Sequence, residues 1–159
     1  NELRSALASH AETVAIKLRK QKSLTASMTL FATSSPHDAG GYFRRSHFHR
    51  FTVPTNDTRN IVKVIESAMV QLYQSGVRYY KCGVGLLDLH DEGLFQYDLF
   101  SPSNDNGKLM ACMDNINAKY GRSTVQMAAK GFEQKFAMRR EFLSPQYTTK
   151  WSDIPKIKC

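Results

Sequence analysis

The apolar pattern of the N-terminal half changes period, and that change limits the fold more than any motif does. Over residues 2–21, Leu3, Leu7, Ala11, Val14 and Leu18 recur at helical spacing, with Glu12, Lys17 and Arg19 off the stripe. Over residues 24–33 the period drops to two. Leu24, Ala26, Met28, Leu30 and Ala32 share one face, and Thr25, Ser27, Thr29, Phe31 and Thr33 share the other. Ser34-Ser35-Pro36 and Gly40-Gly41 mark a loop, and residues 44–53 form a second β-prone run, blurred by His47, Phe48 and His49 and stopped by Pro54. Asn56 or Asp57 caps a second helix with the stripe Ile61, Val64, Ile65, Ala68, Met69 and Leu72, and Gly76 follows as its stop. Residues 78–89 are strand-like again, with Tyr80, Cys82, Val84 and Leu86 on one face. Each element has a single apolar face, so helix, strand, strand, helix, strand must form layers. The predicted fold is α+β, a small antiparallel sheet with two helices packed on one face.

Past residue 90 the character changes. Asp91-Glu92-Gly93 reads as a turn, Gln96-Tyr97-Asp98-Leu99-Phe100 as an isolated peptide, and residues 101–107 as a linker. A third amphipathic helix carries Leu109, Met113, Ile116 and Tyr120 and stops at Gly121; residues 122–128 read as a short strand. Three regions are expected: a domain over 1–93, a peptide and linker over 94–107, and a helical, irregular extension over 108–159.

The chain has 159 residues and a formal charge of +8, with a pI near 9.5. That balance favours a polyanionic partner. No apolar run approaches the ~20 residues of a membrane span, and the N-terminus has no signal-peptide pattern. Cys82, Cys112 and Cys159 are odd in number and far apart, which argues against a disulfide framework or zinc site and for a reducing cytoplasm. There is no Walker loop, GxGxxG, GxSxG or HExxH. His47 and His49, two apart on a strand, are expected to be hydrogen-bonded or phosphate-facing, because a metal site needs three or four convergent donors. Asp88, Asp91 and Glu92 are expected on a solvated turn. No catalytic residue, metal ligand or cofactor site is assigned.

Two features suggest binding. Thr29, Thr33, Ser34, Arg44, Ser46, Arg50, Tyr79 and Lys81 can all point from the open face of the sheet, where hydroxyls and cations suit phosphate oxygens. A plainly solvated sheet face is the alternative. Gln96-Tyr97-Asp98-Leu99-Phe100 resembles the bacterial sliding-clamp-binding peptide, with Gln96, Leu99 and Phe100 at the anchoring positions. An ordinary edge strand with Leu99 and Phe100 in the local core is equally compatible.

Together these features resemble the UmuC-type lesion-bypass DNA polymerases of the Y family, over nearly the whole chain. The matching stretches are Lys17-Leu18-Arg19, Thr33-Ser34-Ser35-Pro36, Val53-Pro54-Thr55-Asn56-Asp57-Thr58-Arg59, Gly76-Val77-Arg78-Tyr79 with Gly83-Val84, and Met113-Asp114-Asn115-Ile116-Asn117-Ala118-Lys119. The most specific is the closing Met138-Arg139-Arg140-Glu141 with Leu143-Ser144-Pro145-Gln146-Tyr147-Thr148-Thr149-Lys150. The resemblance implies a little finger domain that lays its sheet on the primer–template duplex and touches mostly phosphates. It places the polymerase carboxylates and their Mg2+ in a palm domain outside this chain, so the chain, read as a fragment of a longer protein, is expected to be non-catalytic and cofactor-free. The implied setting is the SOS response in a cytoplasmic, nucleoid-associated complex. DNA and the sliding clamp are the implied partners, with the cleaved UmuD dimer and the RecA filament as partners of the tail.

The family's little finger begins with a strand that this chain lacks, so three strands are expected where the family has four. The vacated edge beside residues 78–89 is expected to be covered by residues 122–128, with Val125 and Met127 inward, or by edge-to-edge pairing of two chains. A stand-alone RNA-binding or adaptor module is the competing reading, with Phe31, Phe48 and Tyr79 as its stacking candidates.

Overall fold

The computed structural model of the chain describes residues 2–37, 41–97, 103–131 and 144–155. In chain order the elements are α1 (Glu2–Lys20), β1 (Ser23–Ser34), β2 (Arg44–Thr55), α2 (Thr58–Leu72), β3 (Tyr79–Asp91) and α3 (Gly107–Tyr120), followed by single 3-10 turns at Ala128–Lys130 and Trp151–Asp153. The strands form one antiparallel sheet in the order β2-β1-β3, with the most buried strand, β1, in the centre. The α+β architecture and its three strands match the sequence expectation.

The core lies between one face of this sheet and the two helices. Met28, Leu30 and Ala32 of β1 meet Leu7, Ala8, Ala11 and Ala15 of α1 and Ile61, Ile65, Ala68 and Leu72 of α2, all buried. Cys82, Val84 and Leu86 close it on the β3 side. The α1 stripe is rotated from the expected one, since Ala15 is fully buried and Val14 only partly so. Small residues at Ala8, Ala11 and Ala15 leave room for the backbone of α1 to sit close to its neighbours. Truncating a large buried side chain here, such as Leu7 or Met28, carries the usual core penalty of about 2–5 kcal/mol.

Alternation along β1 holds from Met28 to Ala32 and fails on either side of it. Between Thr25 and Ser27 the β2 partner jumps from Thr55 to Arg50, so β2 bulges. Pro54, expected to end that strand, sits inside the bulge, where its missing N–H costs the ladder nothing. Thr25 and Ser27 were expected on the open face, yet both are buried. The Thr25 hydroxyl lies 2.7 Å from the carbonyl oxygens of both Ser27 and Leu87. The Ser27 hydroxyl donates to the carboxylate of Asp88, which has a φ of 50° and is exposed as expected, though it stands in β3 and not on a turn.

Helix α2 ends differently from the sequence expectation. The chain turns extended at Tyr73, and Gly76 (φ 81°) belongs to the following turn. The Tyr79 hydroxyl does the capping, donating to the Leu72 carbonyl at 3.1 Å and accepting the Gln74 N–H at 2.7 Å. At the other end, Asp57 caps α2 with no exposed surface. Its Oδ1 accepts the Arg59 N–H at 2.8 Å and its Oδ2 accepts the Asn106 N–H at 2.9 Å. The Arg59 guanidinium closes on the same carboxylate at 2.6 Å. Asn106 in turn caps α3, accepting the Leu109 N–H at 3.0 Å.

Residues 103–106 are therefore pinned to α2 where a linker was expected. Besides the Asn106 contact, Asp105 Oδ1 accepts from Thr55 Oγ1 and Asn60 Nδ2, both at 2.7 Å. Helix α3 docks through Met110, which is buried, while Leu109 and Tyr120 of the expected stripe are exposed. Arg19 completes the attachment. Its Nε and Nη2 grip Asp114 at 2.7 and 2.8 Å, and its Nη1 donates to Asn56 O and Thr58 Oγ1 at 2.8 and 2.9 Å.

Residues 122–128 do not form the expected strand and do not cover β3. The Val125 N–H and C=O are both held by the Asn117 side chain, at 2.9 and 2.8 Å, and the Met127 N–H by the Glu12 carboxylate. Those groups are thus unavailable to a ladder. The segment packs on α1 instead, where Ser5 donates to the Lys130 carbonyl and the Lys130 ammonium lies 3.4 Å from Glu12. Among the described residues, β3 has no strand on its outer side.

Burial raises the Asp57 carboxyl, but the Arg59 side chain and the N–H groups of Asn106 and Arg59 outweigh it and hold it below its ordinary range. Its stabilising contribution is then fully present above the unfolded-state value near ~4 and lost as pH falls through the lowered folded value. Asp57→Ala should lower the unfolding free energy by about 2–4 kcal/mol at neutral pH, from the lost cap and charge-assisted bonds together. Urea titrations of both proteins between pH 7 and pH 3 will show it. The gap should narrow on the acid side, and a gap independent of pH would contradict this assignment.

Candidate nucleic-acid interface

The register of the sheet sorts its side chains into two sets of cross-strand rows, because residues paired across antiparallel strands point to the same face. On the helix side the rows are Arg45–Ala32–Cys82, His47–Leu30–Val84 and His49–Met28–Leu86. On the open side they are Arg44–Thr33–Lys81, Ser46–Phe31–Gly83, Phe48–Thr29–Gly85 and Arg50–Ser27–Leu87. No described helix or 3-10 turn packs over the open side.

The eight residues expected on the open face divide accordingly. Thr29, Thr33, Arg44, Ser46, Arg50 and Lys81 stand on it together. Tyr79 does not, since its ring packs with the core and its hydroxyl caps α2. Ser34 is also turned away. It is buried, and its hydroxyl accepts the Phe43 N–H at 2.9 Å, which shapes the entry of the following loop. Ser34 has the parity of the helix-side set Met28, Leu30 and Ala32, and the register shift between Thr33 and Ser34 pairs Tyr79 with it and so takes Tyr79 off the open side.

Arg44 and Arg50 are exposed and form no salt bridge among the described residues, and Lys81 meets only the Tyr80 ring, at 5.6 Å. Three cations thus stand at two ends of the face, with hydroxyls from Thr29 and Ser46 between them, whereas Thr33 is on the same side but buried. Such an arrangement can bind phosphate oxygens without reading sequence. Arg45 takes no part, being turned to the helix side, where it donates to Gln71 O at 3.1 Å. The histidines are likewise on the helix side. His47 Nδ1 lies 2.7 Å from Gln71 Oε1, and burial, then the neighbouring His47, pushes His49 below its ordinary range. His49 is on the helix side with Met28 and Leu86, away from the face that carries the cations. Among the described residues no cluster of His, Cys, Asp or Glu could hold a metal ion, and no helix is long and apolar enough to cross a membrane.

Two features of the face were not singled out from the sequence. Gly83 and Gly85 lie two apart in β3 on the open side, and neither has a positive φ, so they are there for space and not for backbone freedom. A Cβ on Gly83 would sit 2.5 Å from Phe31 Cε1, and one on Gly85 would sit 3.0 Å from Thr29 Cγ2. The signal was available, because two glycines of the same parity inside a strand mark a strip without side chains.

Of the expected clamp-binding residues, Gln96 is exposed, whereas Leu99 and Phe100 lie outside the described residues. Upstream of them His90, Phe95 and Tyr97 form a chain of ring contacts at 5.6 and 5.0 Å. Downstream, Asn104 to Asn106 are tied to α2.

Comparison with known proteins matches residues 1–99 to the impB/mucB/samB family C-terminal domain. Residues 107–157 match a domain of unknown function, DUF4113. Curated relatives include Protein UmuC of Salmonella typhimurium (strain LT2), 35% identical over 161 residues, covering 99% of this chain and 38% of the relative. Protein SamB of Salmonella typhimurium is 34% identical, covering 98% of this chain and 38% of the relative. Protein MucB of Escherichia coli is 32% identical, covering 97% of this chain and 37% of the relative. The chain spans less than two fifths of the length of these relatives.

Proposed function

The chain belongs to the impB/mucB/samB family, as a UmuC-type C-terminal region, and from that premise we propose that it is the DNA-holding, non-catalytic part of a lesion-bypass DNA polymerase. The open face carries this reading. Arg44, Arg50 and Lys81 flank Thr29 and Ser46 on a surface that carries no helix among the described residues, while the opposite face is filled with core. A sheet presenting unpaired cations and hydroxyls in rows fits the backbone of primer–template duplex, whatever its sequence. In this reading the intact protein performs nucleotidyl transfer elsewhere, with Mg2+ held by carboxylates outside this chain. It works in the SOS response, in the cytoplasm and on the nucleoid.

The same reading assigns Gln96, Leu99 and Phe100 to the bacterial sliding clamp. Two adjacent apolar anchors and one amide give a small contact, under ~1,200 Å², whose affinity alone is modest. Tethering to DNA-bound polymerase strengthens it through effective concentration. The ring contacts of Phe95 and Tyr97 before it and the bonds of Asn104 to Asn106 to α2 after it support this reading. The tail beyond residue 108 is then the region for contacts with the cleaved UmuD dimer and the RecA filament.

Two measurements test these assignments. Duplex binding should weaken in the Arg44→Ala, Arg50→Ala, Lys81→Ala triple variant, to the same degree on unrelated sequences. The log–log salt slope should fall by roughly 0.9 for each phosphate contact removed. An unchanged duplex affinity removes this face from the DNA interface. Separately, Leu99→Ala with Phe100→Ala should abolish retention of the chain on immobilised bacterial clamp while leaving duplex affinity as it was. Full retention would exclude the peptide as the clamp anchor.

A further inference from the structure

Past the cationic end row of the open face, Arg44–Thr33–Lys81, the chain turns aromatic. The register of β3 against β1 passes from Thr33 with Lys81 to Ser34 with Tyr79, so Tyr80 is left over as the extra residue of a bulge. Bulges re-aim side chains. Tyr80 is 67% exposed, and the Lys81 ammonium lies 5.6 Å from the centre of its ring. On the β2 side, Phe43 lies opposite Ser34 and packs its ring on Tyr79 at 5.8 Å, while Tyr42, the next residue outward, is 58% exposed. One exposed tyrosine thus stands past each cation of the end row.

The surroundings of the two tyrosines suit a polyanion. Residues 39–55 and 67–87 contain no aspartate or glutamate. The opposite end of the face differs, because Asp88, Asp91 and Glu92 follow the Arg50–Ser27–Leu87 row and all three are exposed. A polyanion seated on the face can continue past Arg44 and Lys81, but past Arg50 it meets carboxylates. Within a duplex each base face is covered by its neighbours, so the face itself meets phosphates, sugars and groove edges. Base faces come free only where the strands part. A ring just past the last cation is placed for that point: the ring takes a base, and the cation holds the phosphate that leads to it.

We propose that the end of the domain bearing Tyr42 and Tyr80 holds the unpaired template just beyond the primer end, with bases against the two rings, while the paired DNA stays on the open face. The inference rests on the duplex reading of that face and adds a second, distinct part of the same DNA. Lys81 serves both parts, since it belongs to the end row and its ammonium lies at the Tyr80 ring. The arrangement also gives the domain a direction on its DNA, because only a primer–template junction at this end engages cations and rings together.

The test uses the 159-residue chain with a blunt duplex and with the same duplex carrying a 5′ single-stranded extension, the polarity of a template beyond a primer. An extension of about six nucleotides is within the usual range of single-strand sites, and anisotropy is followed over a salt series. The unaltered chain should bind the extended duplex roughly five-fold or more tighter than the blunt one, the lower end of what one base–aromatic stack gives. Tyr42→Leu with Tyr80→Leu keeps apolar bulk at two exposed positions, and circular dichroism checks the fold. This variant should lose the preference for the extension, while its blunt-duplex affinity stays within about two-fold because the phosphate contacts of the face are untouched. Tyr42→Phe with Tyr80→Phe, which keeps the rings and removes the hydroxyls, should retain the preference. No preference in the unaltered chain overturns the proposal. So does a leucine variant that keeps the preference or weakens equally on both DNAs, and so does a phenylalanine variant that loses it. Where blunt duplex is still bound in a charge-dependent way, the phosphate reading of the face stands without the rings. If the unaltered chain binds neither DNA, both fall.

Discussion

A single carboxylate with no exposed surface holds the junction of three elements. Asp57 ends β2's exit, caps α2, draws in Arg59 and accepts the N–H that begins α3's own cap. Desolvating a carboxylate costs several kcal/mol, and an unpaired one would not remain charged there. Its two oxygens are instead met by backbone N–H groups and a guanidinium, so the charged form is the favoured one. Arg19 performs the complementary task from α1, joining Asp114 of α3 to the Asn56 carbonyl and the Thr58 hydroxyl. The packing of helices on the sheet is hydrophobic, but their ends are positioned by these two side chains. The open face depends on both, because β2 and β3 keep their register only if the helices hold the sheet from behind.

The sequence made the element order legible because period is a strong signal over long stretches. Residues Met28 to Ala32 alternate as read, and the α2 stripe from Ile61 to Leu72 is buried as read. Failures cluster where the backbone departs from ideal repeat. Beside the β2 bulge Thr25 and Ser27 are buried where an open face was expected, and the register shift after Thr33 turned Tyr79 from the face that counting by twos assigns it, while Ser34 falls with Ala32 by that same count. In the tail, Val125 and Met127 looked strand-like, but distant side chains, Asn117 and Glu12, had claimed their N–H groups. Such captures leave no trace in local composition.

Of the candidate site, the six residues brought together were legible from parity alone, since Arg44, Ser46 and Arg50 have the same parity on one strand, Thr29 and Thr33 on the next, and Lys81 is opposite in parity to Cys82, Val84 and Leu86 on the third. What parity could not give was the relation between strands. That Gly83 lies under Phe31, and that Phe48 stands beside Thr29, follows from register, which depends on bulges and turns that sequence spacing does not specify. The aromatic centre of the face is a property of the pairing.

The boundary between the two matched stretches, 1–99 and 107–157, is not a boundary in the energetics. Arg19 belongs to the first and Asp114 to the second, and Asp57 of the first holds the N–H of Asn106, the residue just before the second. Melting α3 away would leave a guanidinium and a carboxylate each short of a partner, both at sites with little water. The two stretches therefore melt as one cooperative unit, and excising either at the family limit would strip stability from the other. A homologue that exchanges its second stretch must supply an acid opposite Arg19, which ties the evolution of the tail to a residue of the first helix.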